Sequence, residues 1–546
     1  MNDLSYLSRP NTVSFRYKAI TDVLWEKTDK APEKENFIER FVGCGRRTLT
    51  NRELQNRSIV VAKYLTLIGI IPGDKVAIIG PNSIEWIIAQ FAIFLTGAVA
   101  VQVNKTSESF AETIKLLKTL TCKVVLLDPD SDEQFLSDTK KYINNNEHKQ
   151  DRLTIVLLQK STLSSLPSLT DITLTDSEAS ISLPRIQPES SALIYTTSGS
   201  TGVPKLVEMT HMAVVNAPYN AFLGTGGDLT IGTCYNDCLF SWIGGSPIFN
   251  VLNGNARVFV KSAISLKKEN IMAVWDIIMT EQCSNAIFFP HTVLDLIEKQ
   301  DAILKLGHQL YAIATGGQTI SSHLSEICGK LTQKLFVDYG STEVGIVSLT
   351  ELTPGMETGY VGPLFPGYEV KVIGESGETL NRGISGEILI RSPWMLKSYR
   401  NSAKLNHACF ASGGWFPTGD IGVITTKSKL FVKGKSTEVI KRGGVKVLAS
   451  VVETVIMKLP EVKEAVVLSV PDVRLFEEIC ACVVMVNNSN TTENELHRMC
   501  RMTLGDNMLG SAPSFFLRFN EFPRLHNGKT DKLFLKRLAI DRLKLT

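Results

Sequence analysis

The sequence predicts an α/β protein of two domains, and three observations carry that prediction. Short Val/Ile-rich runs alternate with helical stretches, the pattern of βαβ units and largely parallel sheets. The chain has 546 residues, more than one hydrophobic core usually serves. After Gly434 the pattern changes to a compact α+β stretch of roughly 110 residues, an ordinary size for a small domain. Residues 1–434 are expected to form a large N-terminal domain of several subdomains with βαβ sheets. Residues 435–546 would then be a small α+β lid.

The expected strands are 75–79, 124–127, 154–158, 192–195, 256–260, 311–314 and 335–337, each a short run of mostly apolar residues. Residues 86–101 form the most apolar stretch, but Gln90, Thr96 and Gly97 interrupt it. It falls short of the ~20 residues that a membrane-spanning helix needs. It reads as a buried helix to Leu95, a glycine stop, and a strand over 98–103. Residues 161–191, rich in Ser, Thr, Leu and Pro, read as a loose surface connection.

The formal charge of +3 on so long a chain, with Lys and Arg scattered, implies no nucleic-acid partner. The ten Cys lack metal-ligand spacing: Cys234 and Cys238 have no second pair nearby, and Cys480 and Cys482 would share one strand face. Reduced, buried thiols are expected. Met1 to Pro10 lacks a charged region followed by an apolar core, so no signal peptide is expected, and the last residues, Leu543-Lys544-Leu545-Thr546, differ from the peroxisomal Ser-Lys-Leu. A cytoplasmic protein without a transmembrane segment is expected, as a monomer or homodimer.

One stretch carries chemistry on its own composition. Strand 192–195 runs into Thr196-Thr197-Ser198-Gly199-Ser200-Thr201-Gly202-Val203-Pro204-Lys205. Glycines let backbone N–H groups close around an anion, hydroxyls add donors, and Lys205 adds a compact positive charge. That is a phosphate-gripping loop, although a Ser/Gly-rich surface turn has the same composition. It is not a Walker loop, since G-x-x-x-x-G-K-[ST] is absent.

Further stretches accompany it in a fixed order: Asp338-Tyr339-Gly340-Ser341-Thr342-Glu343, then Gly414-Trp415-Phe416-Pro417-Thr418-Gly419-Asp420. Gly434-Lys435-Ser436-Thr437-Glu438 and Asn527-Gly528-Lys529 follow. With the loop, these resemble the motifs of the adenylate-forming enzymes: acyl-CoA synthetases, 4-coumarate ligases, luciferases and peptide-synthetase adenylation domains. The resemblance spans nearly the whole chain. It implies a mobile lid hinged near residues 435–438, and an ATP-dependent acid:CoA ligase that makes an acyl-adenylate, pyrophosphate and then a thioester.

What the resemblance implies can be matched to chemistry residue by residue. Thr197 to Gly202 and Lys205 would hold the β- and γ-phosphates of ATP. Thr342 would offer its hydroxyl to the α-phosphate, and Glu343 is the hard oxygen ligand that Mg²⁺ prefers. Asp420 would accept from the ribose hydroxyls, with Lys435 beside it. Gly317 and Gln318 would flank adenine and Tyr339 would stack on it. Lys529 would bridge the carboxylate of the acid and the α-phosphate as charge builds. Gly444 would face the pantetheine thiol of CoA after the lid turns. After an expected strand around 238–239, Trp242 is the large apolar candidate for the pocket of a small-molecule carboxylic acid, with Gly244 and Gly245 leaving room beside it for an acyl chain or an aryl ring; a core Trp would look the same.

Four positions depart from the family pattern. Lys435 stands for the usual Arg and lacks its planar fork. Thr437 replaces the Asp or Lys of the hinge, Val451 replaces a Glu, and Phe476 replaces a Gly. A non-catalytic acyl- or nucleotide-binding relative, or an adenylating enzyme serving a carrier other than CoA, is the alternative these departures keep open.

Overall fold

Strand Lys75–Ile79 lies inside a seven-stranded sheet, paired in parallel with Val99–Gln102 on one side and Cys122–Leu127 on the other. Its buried Val76, Ala77, Ile78 and Ile79 explain the unbroken apolar run, since a parallel strand is covered on both faces. The computed structural model describes residues 3–545 apart from 13, 42, 44, 104–109, 130–132, 146–152, 162–165, 198–204, 225–231, 262–263, 318–321, 401, 411–412, 444, 487–488, 490, 505–510 and 526–527.

Ser191–Thr197 extends the parallel run of this sheet, and Lys205–Thr210 returns antiparallel beside it, so residues 198–204 join the two. Residues 84–95 form the expected buried helix. The Ser83 hydroxyl accepts the Trp86 N–H at 3.1 Å to start it, and every side chain from Ile84 to Leu95 is buried. Gly97 turns the chain into Val99–Gln102. Among the described residues no helix is long and apolar enough to cross a membrane.

An eight-stranded sheet holds the second half of the large domain. Its six central strands run parallel, from Thr332–Ser341 through Leu310–Gly316, Asn285–Ile287, Thr233–Tyr235 and Ala256–Val260 to Glu35–Arg40. The strand expected around 238–239 is absent. The pairing stops at Tyr235 because side chains take over: Asn236 Oδ1 accepts the Cys238 N–H at 3.0 Å, and buried Arg257 donates to the carbonyls of Asn236, Cys238 and Gly245.

A five-stranded antiparallel sheet completes the large part, with Tyr6–Arg9, Tyr368–Ile373, Gly386–Arg391, Phe416–Ile424 and Leu430–Lys435 in that order. Beyond Lys435 the described strands pair only among themselves. Val439–Arg442 pairs with Val445–Leu448, while Val462–Asp472, Phe476–Met485 and Phe515–Phe519 make a three-stranded sheet. Helices Ala449–Ile456, Glu493–Leu504 and Lys532–Leu543 pack on these strands. This is the two-part α/β architecture expected, with a separate core in the C-terminal unit. Cys480 and Cys482 share one buried face of Phe476–Met485.

Candidate active site

Strand Thr332–Ser341 ends the parallel part of its sheet and delivers residues 338–343 to the edge where ligands of α/β sheets collect. Its ladder to Gly345–Glu351 shifts register between Tyr339 and Gly340. Tyr339 crosses to the five-stranded sheet, where its hydroxyl donates to Asp420 Oδ2 at 2.9 Å. Asp420 stands opposite Lys435 across two antiparallel strands, and the Lys435 ammonium lies 2.6 Å from Oδ1. Thr418 Oγ1 accepts the Asp420 N–H at 3.0 Å and donates to the Ile388 carbonyl at 2.8 Å. The Asp420 carboxylate is thus aimed by Tyr339 and Lys435, and it retains lone pairs for ligand hydroxyls.

Gly316 closes the neighbouring strand and makes room for a charged group, and Gly317 follows it beside another. A Cβ at Gly316 would lie 2.1 Å from Asp338 Oδ1. Gly317 has φ +79°, and its Cβ position is 3.5 Å from Lys529 Cε. Burial pushes the Asp338 carboxyl up to about 6, against the pull of its own backbone N–H and of the Lys529 charge. Lys529 comes from a turn of the C-terminal unit, closed by the Leu525 N–H on the Lys529 carbonyl at 2.7 Å. Burial first, and then Lys435, hold its ammonium below the ordinary lysine value; Asp338, Asp420 and Glu343 oppose them. The structure therefore brings Lys529, Gly317, Tyr339, Asp420, Lys435 and Glu343 together.

Thr342 is buried directly before Glu343, whose carbonyl accepts the Leu396 N–H at 2.7 Å. Glu343 Oε1 accepts the Tyr399 hydroxyl at 2.9 Å. Lys205 stands over the same ring, with Nζ 5.6 Å from its centre. Tyr399 thus joins the expected metal carboxylate to the expected phosphate lysine, and the sequence reading missed it. Its one signal, the Ser398–Tyr399 pairing with Lys205–Thr210, is a two-residue strand that no pattern reveals. Asp338 lies within a motif whose pattern gave it no role of its own.

Some expected site residues cannot be followed. Ser198, Gly199, Ser200, Thr201, Gly202, Gln318 and Gly444 lie outside the described residues, as does the Thr197 side chain. Trp242 is half-buried and stacks on Phe289, with ring centres 5.3 Å apart and planes at 28°. The room left by its glycines is already filled. A Cβ at Gly244 would meet the Trp242 ring at 2.3 Å, and one at Gly245 would meet the Leu239 carbonyl at 2.1 Å.

Among the described residues no three His, Cys, Asp or Glu gather as a metal site. Glu343 alone fits a cation that takes one protein carboxylate beside phosphates and waters, which is the habit of Mg²⁺.

Comparison with known proteins gives this geometry relatives. Residues 24–400 match the family described as AMP-binding enzyme, and residues 451–529 match the AMP-binding enzyme C-terminal domain. The medium-chain acyl-CoA ligase ACSF2, mitochondrial, of Mus musculus is 26% identical over 513 residues, covering 89% of this chain and 82% of its own. The 4-coumarate–CoA ligase 2 of Petroselinum crispum is also 26% identical over 513 residues, covering 90% of each. Among solved structures, the anthranilate CoA ligase AuaEII in complex with anthranoyl-AMP superposes with TM-score 0.81 at 20% identity, covering 97% of this chain and 98% of its own. The amide bond synthetase McbA from Marinactinospora thermotolerans gives TM-score 0.77 at 22% identity, covering 95% and 99%. At such identities the structures share the fold.

Proposed function

This chain belongs to the AMP-binding enzymes, and from that membership we propose that it activates a small-molecule carboxylic acid with ATP and passes the acyl group to the thiol of coenzyme A. Its class is that of the AMP-forming ligases. The observation that carries the reading is Lys529: a lysine of the C-terminal unit, with its tip over Gly317 and its charge balanced against Asp338, Asp420 and Glu343.

In the first step an oxygen of the acid attacks the α-phosphorus, and the bond to the departing pyrophosphate breaks. Negative charge builds between the carboxylate and the α-phosphate. Lys529 meets it there as a point charge, in surroundings less screened than water. Thr342 donates its hydroxyl to the α-phosphate. Thr197 to Gly202 and Lys205 hold the β- and γ-phosphates, Lys205 being steadied over the Tyr399 ring. Gln318 and the Gly317 backbone border the adenine, and Tyr339 stacks on it. Asp420 and Lys435 bind the ribose. Glu343 would hold Mg²⁺, which supplies charge neutralisation on the phosphates when bound.

In the second step the thiol attacks the acyl carbon, AMP leaves, and the thiol proton passes to solvent. The lid, divided from the large domain at Gly434–Lys435, turns for this step and brings Gly444 to the thiol. Trp242 and Phe289 form an aromatic wall for the acid. Relatives named as medium-chain acyl-CoA and 4-coumarate–CoA ligases support fatty and aryl acids as the classes to try.

ATP–pyrophosphate exchange across fatty and aryl acids, followed by thioester detection on each hit, tests the reading. Exchange with thioester is the expected result. Exchange without thioester assigns the acyl group to another acceptor, such as an amine or a carrier. ATP binding without exchange would overturn the ligase reading in favour of a binding protein.

A further inference from the structure

Lys463 is the second residue of strand Val462–Asp472 of the C-terminal unit and reaches across to the large domain. Its ammonium lies 3.0 Å from Asp295 Oδ1 and 2.8 Å from Glu298 Oε2. The two acids are three residues apart on helix Pro290–Glu298, so they share one face and form a fork. The contact is well shielded: the side chains of Lys463, Asp295 and Glu298 are 17%, 9% and 22% exposed. Burial by itself would lower the Lys463 value, yet Glu298 and Asp295 outweigh it and hold the ammonium above the ordinary value.

The surroundings are built to the same balance. Glu298 also pairs with Lys268 of the large domain, and Arg524 of the C-terminal unit pairs with Glu464 at 2.6 Å. His291, one helical turn before Asp295, is 5% exposed, and neither ring nitrogen has a hydrogen-bond partner among the described residues. Burial, with Arg524 and Lys463 nearby, holds it at about 3, so the ring is neutral and adds no charge. A further bridge from the C-terminal unit, Lys446 to Glu375, joins side chains 61% and 89% exposed, where water leaves an ion pair little value.

Arg524 opens the turn that ends in Lys529 and Thr530, and it lies in the same contact region as Lys463. We infer that the Lys463 bridge to Asp295 and Glu298 is the clamp that seats the C-terminal unit with Lys529 in the site, making Lys463 a positioning residue for acid activation. The inference rests on the ligase reading above. A clamp of this kind assists the step that needs Lys529. It gives no help to acyl transfer, for which the lid must leave this seat.

Three variants test it: Lys463→Ala, Lys463→Arg and the pair Asp295→Asn with Glu298→Gln. ATP–pyrophosphate exchange should fall about tenfold in Lys463→Ala and equally in the acid pair, with no further loss when all are combined. ATP binding should stay within about twofold, because Lys463 does not line the nucleotide site, and Lys463→Arg should restore most of the exchange rate. Acyl transfer from preformed acyl-adenylate to CoA should hold or rise in Lys463→Ala. Exchange left unchanged by Lys463→Ala, additive losses, or equal loss of ATP binding would each overturn the clamp. Absence of exchange in the unmodified protein would instead overturn the ligase reading, so the two failures are distinguishable.

Discussion

The Tyr399 hydroxyl donates to Glu343 Oε1 at 2.9 Å, while the Lys205 ammonium stands 5.6 Å from the centre of the same ring. One aromatic residue therefore serves both ends of the proposed triphosphate site. Tyr399→Phe removes the hydrogen bond and leaves the ring under Lys205. A hydrogen bond to a charged group contributes about 1.5–3 kcal/mol, so exchange should fall at least about tenfold. The Mg²⁺ concentration for half-maximal rate should rise, because Glu343 loses its orienting partner. Tyr399→Ala should fall further and also raise the KM for ATP, since Lys205 then loses its ring. A Mg²⁺ titration of both variants checks this, and coincident curves for Tyr399→Phe and the parent would refute it.

Lys529→Ala should abolish acyl-adenylate formation while leaving ATP affinity within a few-fold, as expected of a charge that acts mainly in the transition state. A pH profile adds a second check. Lys529 is held below the ordinary 10.5, by burial first and by Lys435 next. The active ammonium is lost as pH rises through that lowered value, so the alkaline limb of exchange should lie below 10.5. Lys435→Gln removes one of the causes and should move the limb upward, even as weaker ribose contacts lower the plateau. A limb that stays put would separate it from Lys529.

Much of this arrangement was legible in sequence where burial dictates composition. Strand Lys75–Ile79 is apolar after its first residue because both faces are covered, and helix Ile84–Leu95 is apolar on every side apart from Glu85 and Gln90 for the same reason. The antiparallel sheet was hidden because its strands meet from opposite ends of the chain, Tyr6–Arg9 pairing with Tyr368–Ile373. Tyr399 was hidden because a two-residue strand has no period to read. The glycines beside Trp242 suggested empty space, but the fold returns the Trp242 ring and the Leu239 carbonyl to fill it. Lys463 lies far in sequence from Asp295 and Glu298, and the three belong to no motif, so nothing in the chain announces their pairing.

Phe476 is 82% exposed and sits at φ +65°, the left-handed region that suits glycine. Little burial is lost on replacing it. Relief of about 1–2 kcal/mol of backbone strain should exceed the ~0.5–1 kcal/mol that glycine costs through its freedom when unfolded. Phe476→Gly should therefore raise the urea midpoint of the C-terminal unit slightly at unchanged slope, and Phe476→Ala should not. A lowered midpoint for the glycine variant would mean that the aromatic ring stabilises the fold by a contact other than burial.

His211 is fully buried; its Nδ1 accepts the Ile20 N–H at 3.4 Å, and its ring meets Phe94 edge-on with centres 5.5 Å apart. Burial lowers it from the ordinary 6.5 to about 3. The folded protein therefore keeps the ring neutral, whereas the unfolded chain takes up a proton below pH 6.5. Because the unfolded state then binds more protons, the stability contributed by neutral His211 is complete above 6.5 and is lost as pH falls toward 3. The denaturant midpoint should drop steadily from pH 7 to pH 5. His211→Gln keeps an acceptor for the Ile20 N–H and removes the titration, so its midpoint should change less across that range. His291, also at about 3, keeps part of the slope in that variant, and the combined His211→Gln, His291→Gln protein should be the flattest. Equal slopes in all three proteins would assign the acid sensitivity to the carboxylates instead.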